Sequence, residues 1–112
     1  VGADVACKIG LNEVAIGIVL PDWAITMCHE RLSKRHIQRA VLLAEVTGPA
    51  GAVEAGFLDV VVPEGEVLSA AVARATEYAA FTRAAYHGSV LALRGDALAL
   101  LERQVAKDRP AS

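Results

Sequence analysis

One carboxylate, Glu13, stands between Gly10 and Gly17 in a stretch with no other charged side chain from Ile9 to Val19. Val5, Ile9, Leu11, Val14, Ile16, Ile18 and Val19 surround it in sequence, which predicts a dry setting. A carboxyl group placed there is poorly solvated as an anion, so its proton affinity is expected to rise. That is the tuning a general acid or base near neutral pH requires. The plainer alternative is a glutamate that caps a helix or pairs with a neighbouring cation such as Lys8, since structural ion pairs use the same residue types.

The elements that must hold Glu13 follow from composition and pattern. At 112 residues the chain is one domain at most, with 54% apolar and only 4% aromatic residues. The core is therefore aliphatic and alanine-rich. An apolar share above the roughly 45–50% of ordinary soluble domains predicts that some of it meets another subunit or partner segment. A formal charge of −2 offers no basic footprint for nucleic acid or an anionic membrane. Asp22 and Glu45 interrupt the best candidates for a membrane span, and no signal peptide is recognisable. Cys7 and Cys28 are too few for a disulfide framework, so reduced thiols and a cytoplasmic setting are expected. The opening Val1-Gly2-Ala3 reads as the end of a strand, and the chain reads as a piece of something longer.

Residues 5–10 predict a short strand and 13–19 a buried apolar segment compatible with extended backbone. Pro21-Asp22 starts a helix over 23–32, with Asp22 near its cap. Ser33 caps a second helix, reaching Val46, with Ile37, Val41 and Ala44 as its apolar stripe. Residues 49–55 predict a short helix closed by Gly56, and 57–62 a β-branched strand stopped by Pro63. From residue 66 the pattern is helical throughout. Leu68, Ala71, Val72, Ala75 and Ala79 share a face over 66–80, a break falls near Phe81-Thr82, and a further piece carries Tyr86, Val90 and Leu93. Gly95-Asp96 is expected to interrupt again, with Asp96 capping a last helix that turns Leu98, Leu101 and Val105 inward, before a frayed tail after Asp108.

Three segments in order resemble the enoyl-CoA hydratase/isomerase family, the crotonases. They are Ile9-Gly10-Leu11-Asn12-Glu13-Val14-Ala15-Ile16-Gly17, then Arg31-Leu32 with the helix after Ser33, then Ala52-Val53-Glu54-Ala55-Gly56-Phe57-Leu58-Asp59-Val60-Val61-Val62-Pro63. The resemblance covers about residues 1–100 and implies an α/β fold. Residues 1–65 would be the last turns of a ββα spiral, and 66–112 a C-terminal helical region for trimers or dimers of trimers. It also implies an acyl-CoA thioester substrate, as in fatty acid metabolism, with no cofactor beyond the coenzyme A that the substrate carries. The reaction would build an enolate in an oxyanion hole of two backbone N–H groups, an arrangement that matters by several kcal/mol.

Residue by residue, Glu13 falls at the second of the hydratases' two catalytic glutamates. The first glutamate and both oxyanion donors align upstream of Val1, so the chain alone is expected to be inactive. Two positions depart from the hydratase pattern: Asn12 stands where Pro is usual, and Asp22-Trp23-Ala24-Ile25 replaces a glycine-rich helix start. Those departures leave an isomerase, a hydratase or an acyl-CoA hydrolase open. Leu20 and Trp23 are candidates for the acyl pocket, with a core or interface role as the alternative. A non-catalytic oligomerisation module of the same fold is the reading from another class.

Other groupings carry less. Cys28-His29-Glu30 would diverge around a helix, and no second His or Cys follows at i+4, so no metal site is expected. His87 and Ser89 lack a recognisable acid partner for a triad. Lys34-Arg35-His36 reads as a solvated helix face.

Overall fold

The computed structural model describes residues 1–110. Four two-residue strands are interspersed with two α-helices and single 3-10 and π-helical turns in its first half, which gives way to helix alone in its second. Strand β1 (Gly2–Ala3) pairs in parallel with β4 (Val61–Val62), in the register Gly2 to Val61. Strand β2 (Ile9–Gly10) pairs antiparallel with β3 (Val46–Thr47), Ile9 opposite Thr47. Ribbons this short stabilise little by themselves, so helix packing carries the unit.

Helix α1 (Asp22–Arg31) starts after Pro21, which sits in extended backbone at the cap; Asp22 is already inside the first turn, with no side-chain cap bond. The chain then makes a turn at residues 34–36 and a π-helical turn over Gln38–Leu42. The predicted helix to Val46 therefore stops early. Ala44 takes a positive φ of 51°, which an L-residue adopts at a cost of about 1 kcal/mol, and this bend frees Val46 for the β-ribbon. Helix α2 (Pro49–Ala55) has Pro in its first turn and ends at Gly56 with φ 102°. A Cβ on Gly56 would lie 2.7 Å from the Arg31 carbonyl oxygen. Next to it the Ser33 N–H donates to the Ala55 carbonyl at 2.8 Å, so the ends of α1 and α2 are fastened together.

The core is small. Leu20, Cys28, Leu32, Ala40 and Val41 form one buried cluster, with Leu11, Ala24, Ile25, Ile37 and Phe57 packed around it. Ala52 and Ala55 are buried from α2.

A 3-10 turn (Glu64–Glu66) leads into α3 (Val67–Tyr78), and Thr82 then opens α4 (Arg83–Asp108). Helix α4 runs unbroken through Gly95-Asp96, contrary to the predicted interruption: a single glycine lowers helix stability by only about 1 kcal/mol, and good helix formers flank it. Neither helix buries a residue. Leu68 and Val72 stay exposed rather than sharing a buried face, and Leu98 and Val105 are exposed in part. Helix α4 packs on α1, whereas α3 chiefly contacts the turn before it.

The result is an open shape. The accessible surface of 8228 Å² exceeds the about 5900 Å² expected of a compact monomer of this mass. The radius of gyration, 16.5 Å, likewise exceeds the about 13 Å of a compact chain of this length.

Candidate active site

Glu13 sits at the entrance of a 3-10 turn (Val14–Ile16) rather than in an extended segment. Its carbonyl accepts N–H bonds from Ile16 at 3.1 Å and Ile18 at 2.8 Å, and Gly17 closes the turn with φ 79°. That left-handed position is why a glycine is needed there. The loop leaves the core at Leu11 and re-enters it at Leu20, so Glu13 is held between two anchored ends.

The expected dry surround is only half present. Val14, Ile16, Ile18 and Val19 are all exposed, Val19 by 88%, because nothing in the chain packs against that side of the loop. Glu13 itself is half-buried, yet its Oε2 is shut off from solvent and has no hydrogen-bond partner. A carboxylate oxygen in that state lacks the donor it would have in water, and burying such an atom without one is costly.

Helix α1 lines the inner side. Leu20, Cys28 and Leu32 are in the core cluster, and the four-residue steps Leu20, Ala24, Cys28, Leu32 put that face inward. Burial, and secondly the negative charge of Glu13, hold the Cys28 thiol above its ordinary value of 9.0, so it stays protonated at neutral pH. Leu20 is thus a core residue beside the loop. Trp23 faces the other way: its Nε1–H donates to Asp108 Oδ2 at 2.9 Å, and with Met27 and Val105 it lines a shallow cavity of about 500 Å³. The two acyl-pocket candidates are therefore not brought together.

The rest of the α1–α4 seam combines an apolar pocket between Met27 and Ala97, Leu98 and Leu101 with several polar bonds. The Thr26 hydroxyl donates to Gln104 Oε1 at 2.9 Å, Arg94 reaches Glu30 Oε2 at 3.3 Å, and Lys107 reaches Asp22 Oδ2 at 3.0 Å. Cys28, His29 and Glu30 diverge as their adjacency predicts, one buried, one exposed and one paired with Arg94. Ser33 Oγ and His36 Nδ1 lie 3.0 Å apart, while Lys34, Arg35 and His87 are exposed. The sequence marks Cys28 as a reduced thiol and not a metal ligand; its four-residue spacing from Ala24 and Leu32 is the signal that it faces inward.

Comparison with known proteins adds a second line of support. The sequence profile of the enoyl-CoA hydratase/isomerase family matches residues 1–110. The mouse mitochondrial enoyl-CoA delta isomerase 1 is 40% identical over 72 residues, covering 64% of this chain and 25% of that protein. A crystal structure of an enoyl-CoA hydratase/isomerase family protein from Pseudomonas syringae superposes with a TM-score of 0.88 at 36% identity, covering 96% of this chain and 46% of the other. Human mitochondrial delta3-delta2-enoyl-CoA isomerase superposes with a TM-score of 0.83 at 30% identity, over 96% and 42%. The chain thus spans less than half the length of these solved structures. The mouse and human proteins are mitochondrial by name, so a cytoplasmic setting does not follow from kinship. Among the described residues no helix is long and apolar enough to cross a membrane.

Proposed function

The chain belongs to the enoyl-CoA hydratase/isomerase family, and on that premise we propose that it supplies the acid/base of an acyl-CoA isomerase, with Glu13 moving the proton. In a 3-enoyl-CoA the hydrogens on C2 are acidified by both the thioester and the double bond. The Glu13 carboxylate removes one of them. The electron pair then spreads over C2, C4 and the thioester oxygen, and Glu13 returns the proton at C4. The double bond moves from C3–C4 to C2–C3 with no change in oxidation state and no water consumed. One carboxylate suffices for both steps.

The buried, unpartnered Oε2 of Glu13 carries this reading. Asn12 in place of the hydratases' usual proline, and relatives named as isomerases, favour isomerisation over water addition. The charge on the thioester oxygen needs donors, which the family resemblance assigns to backbone N–H groups upstream of Val1. In the same reading residues 1–65 close the spiral core. Residues 66–112 are a contact region between subunits, in trimers or dimers of trimers. The exposed Leu68, Val72, Phe81, Tyr86 and Leu93 support it.

The test is substrate choice. Full-length protein bearing this sequence is expected to isomerise a 3-enoyl-CoA and to hydrate crotonyl-CoA far more slowly. Faster hydration than isomerisation would overturn the assignment. The purified 112-residue chain is expected to turn over neither substrate.

A further inference from the structure

Helix α1 is attached on two sides by different means. Ala24 and Cys28 pack into the core cluster, to which no residue of α4 belongs. Trp23, Met27 and Glu30 meet α4 instead. There the apolar surfaces do not close: two shallow cavities of about 270 and 500 Å³ meet at Met27. No residue of α4 is buried, and α4 packs extensively on no other element. The bonds that span the seam are polar. Arg94 reaches the Glu30 carboxylate at 3.3 Å and its carbonyl oxygen at 3.5 Å, and Lys107 reaches Asp22 at 3.0 Å. Asp22 lies in the first turn of α1 and Lys107 in the last turn of α4, where each helix dipole favours its charge. All four side chains of these two ion pairs are at least 32% exposed, so dissolved salt reaches them.

We propose that α4 is an electrostatic strap, held on α1 by charge and lifted from it by ionic strength while the core beneath stays folded. It pivots at residues 79–82, where the chain turns out of α3 and Thr82 is extended. Its release frees the Trp23 indole, whose N–H is bonded to Asp108 at 2.9 Å in the closed state. It also uncovers Met27, Leu98, Leu101 and Val105. A seam held by apolar contact would stay shut as salt rises, since screening acts on charges alone. The strap is independent of the role of Glu13.

The chain carries its own reporters: Trp23 in the seam and, with Cys7→Ser, Cys28 as the remaining thiol in the core. Sodium chloride is raised from about 0.01 M to about 1 M, which shortens the screening length from about 30 Å to about 3 Å. Trp23 emission is expected to shift to the red and to be quenched more readily by acrylamide, while Cys28 stays closed to a thiol-reactive disulfide reagent. With Arg94→Gln and Lys107→Gln together, the red-shifted emission is expected already at low salt, with no further response. Emission that holds still across the salt range, or in the double variant at low salt, overturns the strap. So does a Cys28 that becomes reactive in step with the red shift, because the whole unit would then be opening.

Discussion

The segment from Leu20 to Ala55 and the two long helices after Val67 are built on opposite terms. The first holds all seven buried apolar residues: Leu20, Cys28, Leu32, Ala40, Val41, Ala52 and Ala55. The second has comparable aliphatic content and buries nothing, leaving Leu68 77% and Leu93 75% exposed. One region has folded against itself. The other is attached to α1 through ion pairs and a few partly exposed apolar contacts, and displays many of its apolar side chains. Secondary structure alone therefore does not make a core; what decides is whether a second apolar face is there to meet the first.

The sharpest way to break this contrast is a matched pair of truncations. Leu32→Ala is expected to destabilise the chain by about 2–4 kcal/mol, as buried leucines do, whereas Leu93→Ala should stay within about 0.5 kcal/mol. Urea midpoints with an unchanged slope would read both. Equal losses would mean that α4 is packed in solution. Gly56→Ala comes next, at about 2 kcal/mol, because a left-handed φ and the 2.7 Å approach to the Arg31 carbonyl act together.

The seam should respond more mildly. Asp108→Ala removes the acceptor of the Trp23 Nε1–H, at an expected loss of about 0.5–1 kcal/mol for an exposed bond. Trp23 is the chain's one tryptophan, so a red shift of its emission reports the loosening of α4 on its own.

Alkaline pH tests the core from another side. The Cys28 thiol ionises at higher pH in the folded chain than its ordinary value. Its neutral burial therefore stabilises fully below the ordinary pKa that the thiol regains on unfolding. That contribution is lost as pH rises through the folded value. Melting curves should show a steeper alkaline decline for the parent chain than for Cys28→Ala, and parallel declines would remove the thiol from the account.

Much of this arrangement was legible where local chemistry decides. Pro49 and Gly56 bracket α2 as their backbone preferences require, and Pro21-Asp22 marks the start of α1. The family and its mixed α/β character were readable from three ordered segments. The apolar run beside Glu13 suggested a buried, extended segment, and nothing in it told that Val14, Ile16, Ile18 and Val19 would be exposed around a turn. Exposure depends on what packs there, and no local pattern encodes that. Gly95-Asp96 misled for a related reason: both residues favour helix ends, yet neither is prohibitive on an exposed surface between strong helix formers. The strands over 5–10 and 57–62 shrank to Ile9–Gly10 and Val61–Val62 because β-propensity needs a partner strand to be realised.

The central claim is that Glu13 carries the proton. In full-length protein of unchanged melting temperature, Glu13→Gln keeps the shape and size of the side chain and removes its ability to act as a base. Steady-state isomerisation of a 3-enoyl-CoA should fall at least about a hundredfold in kcat with KM little altered. Turnover equal to that of the parent would contradict the account.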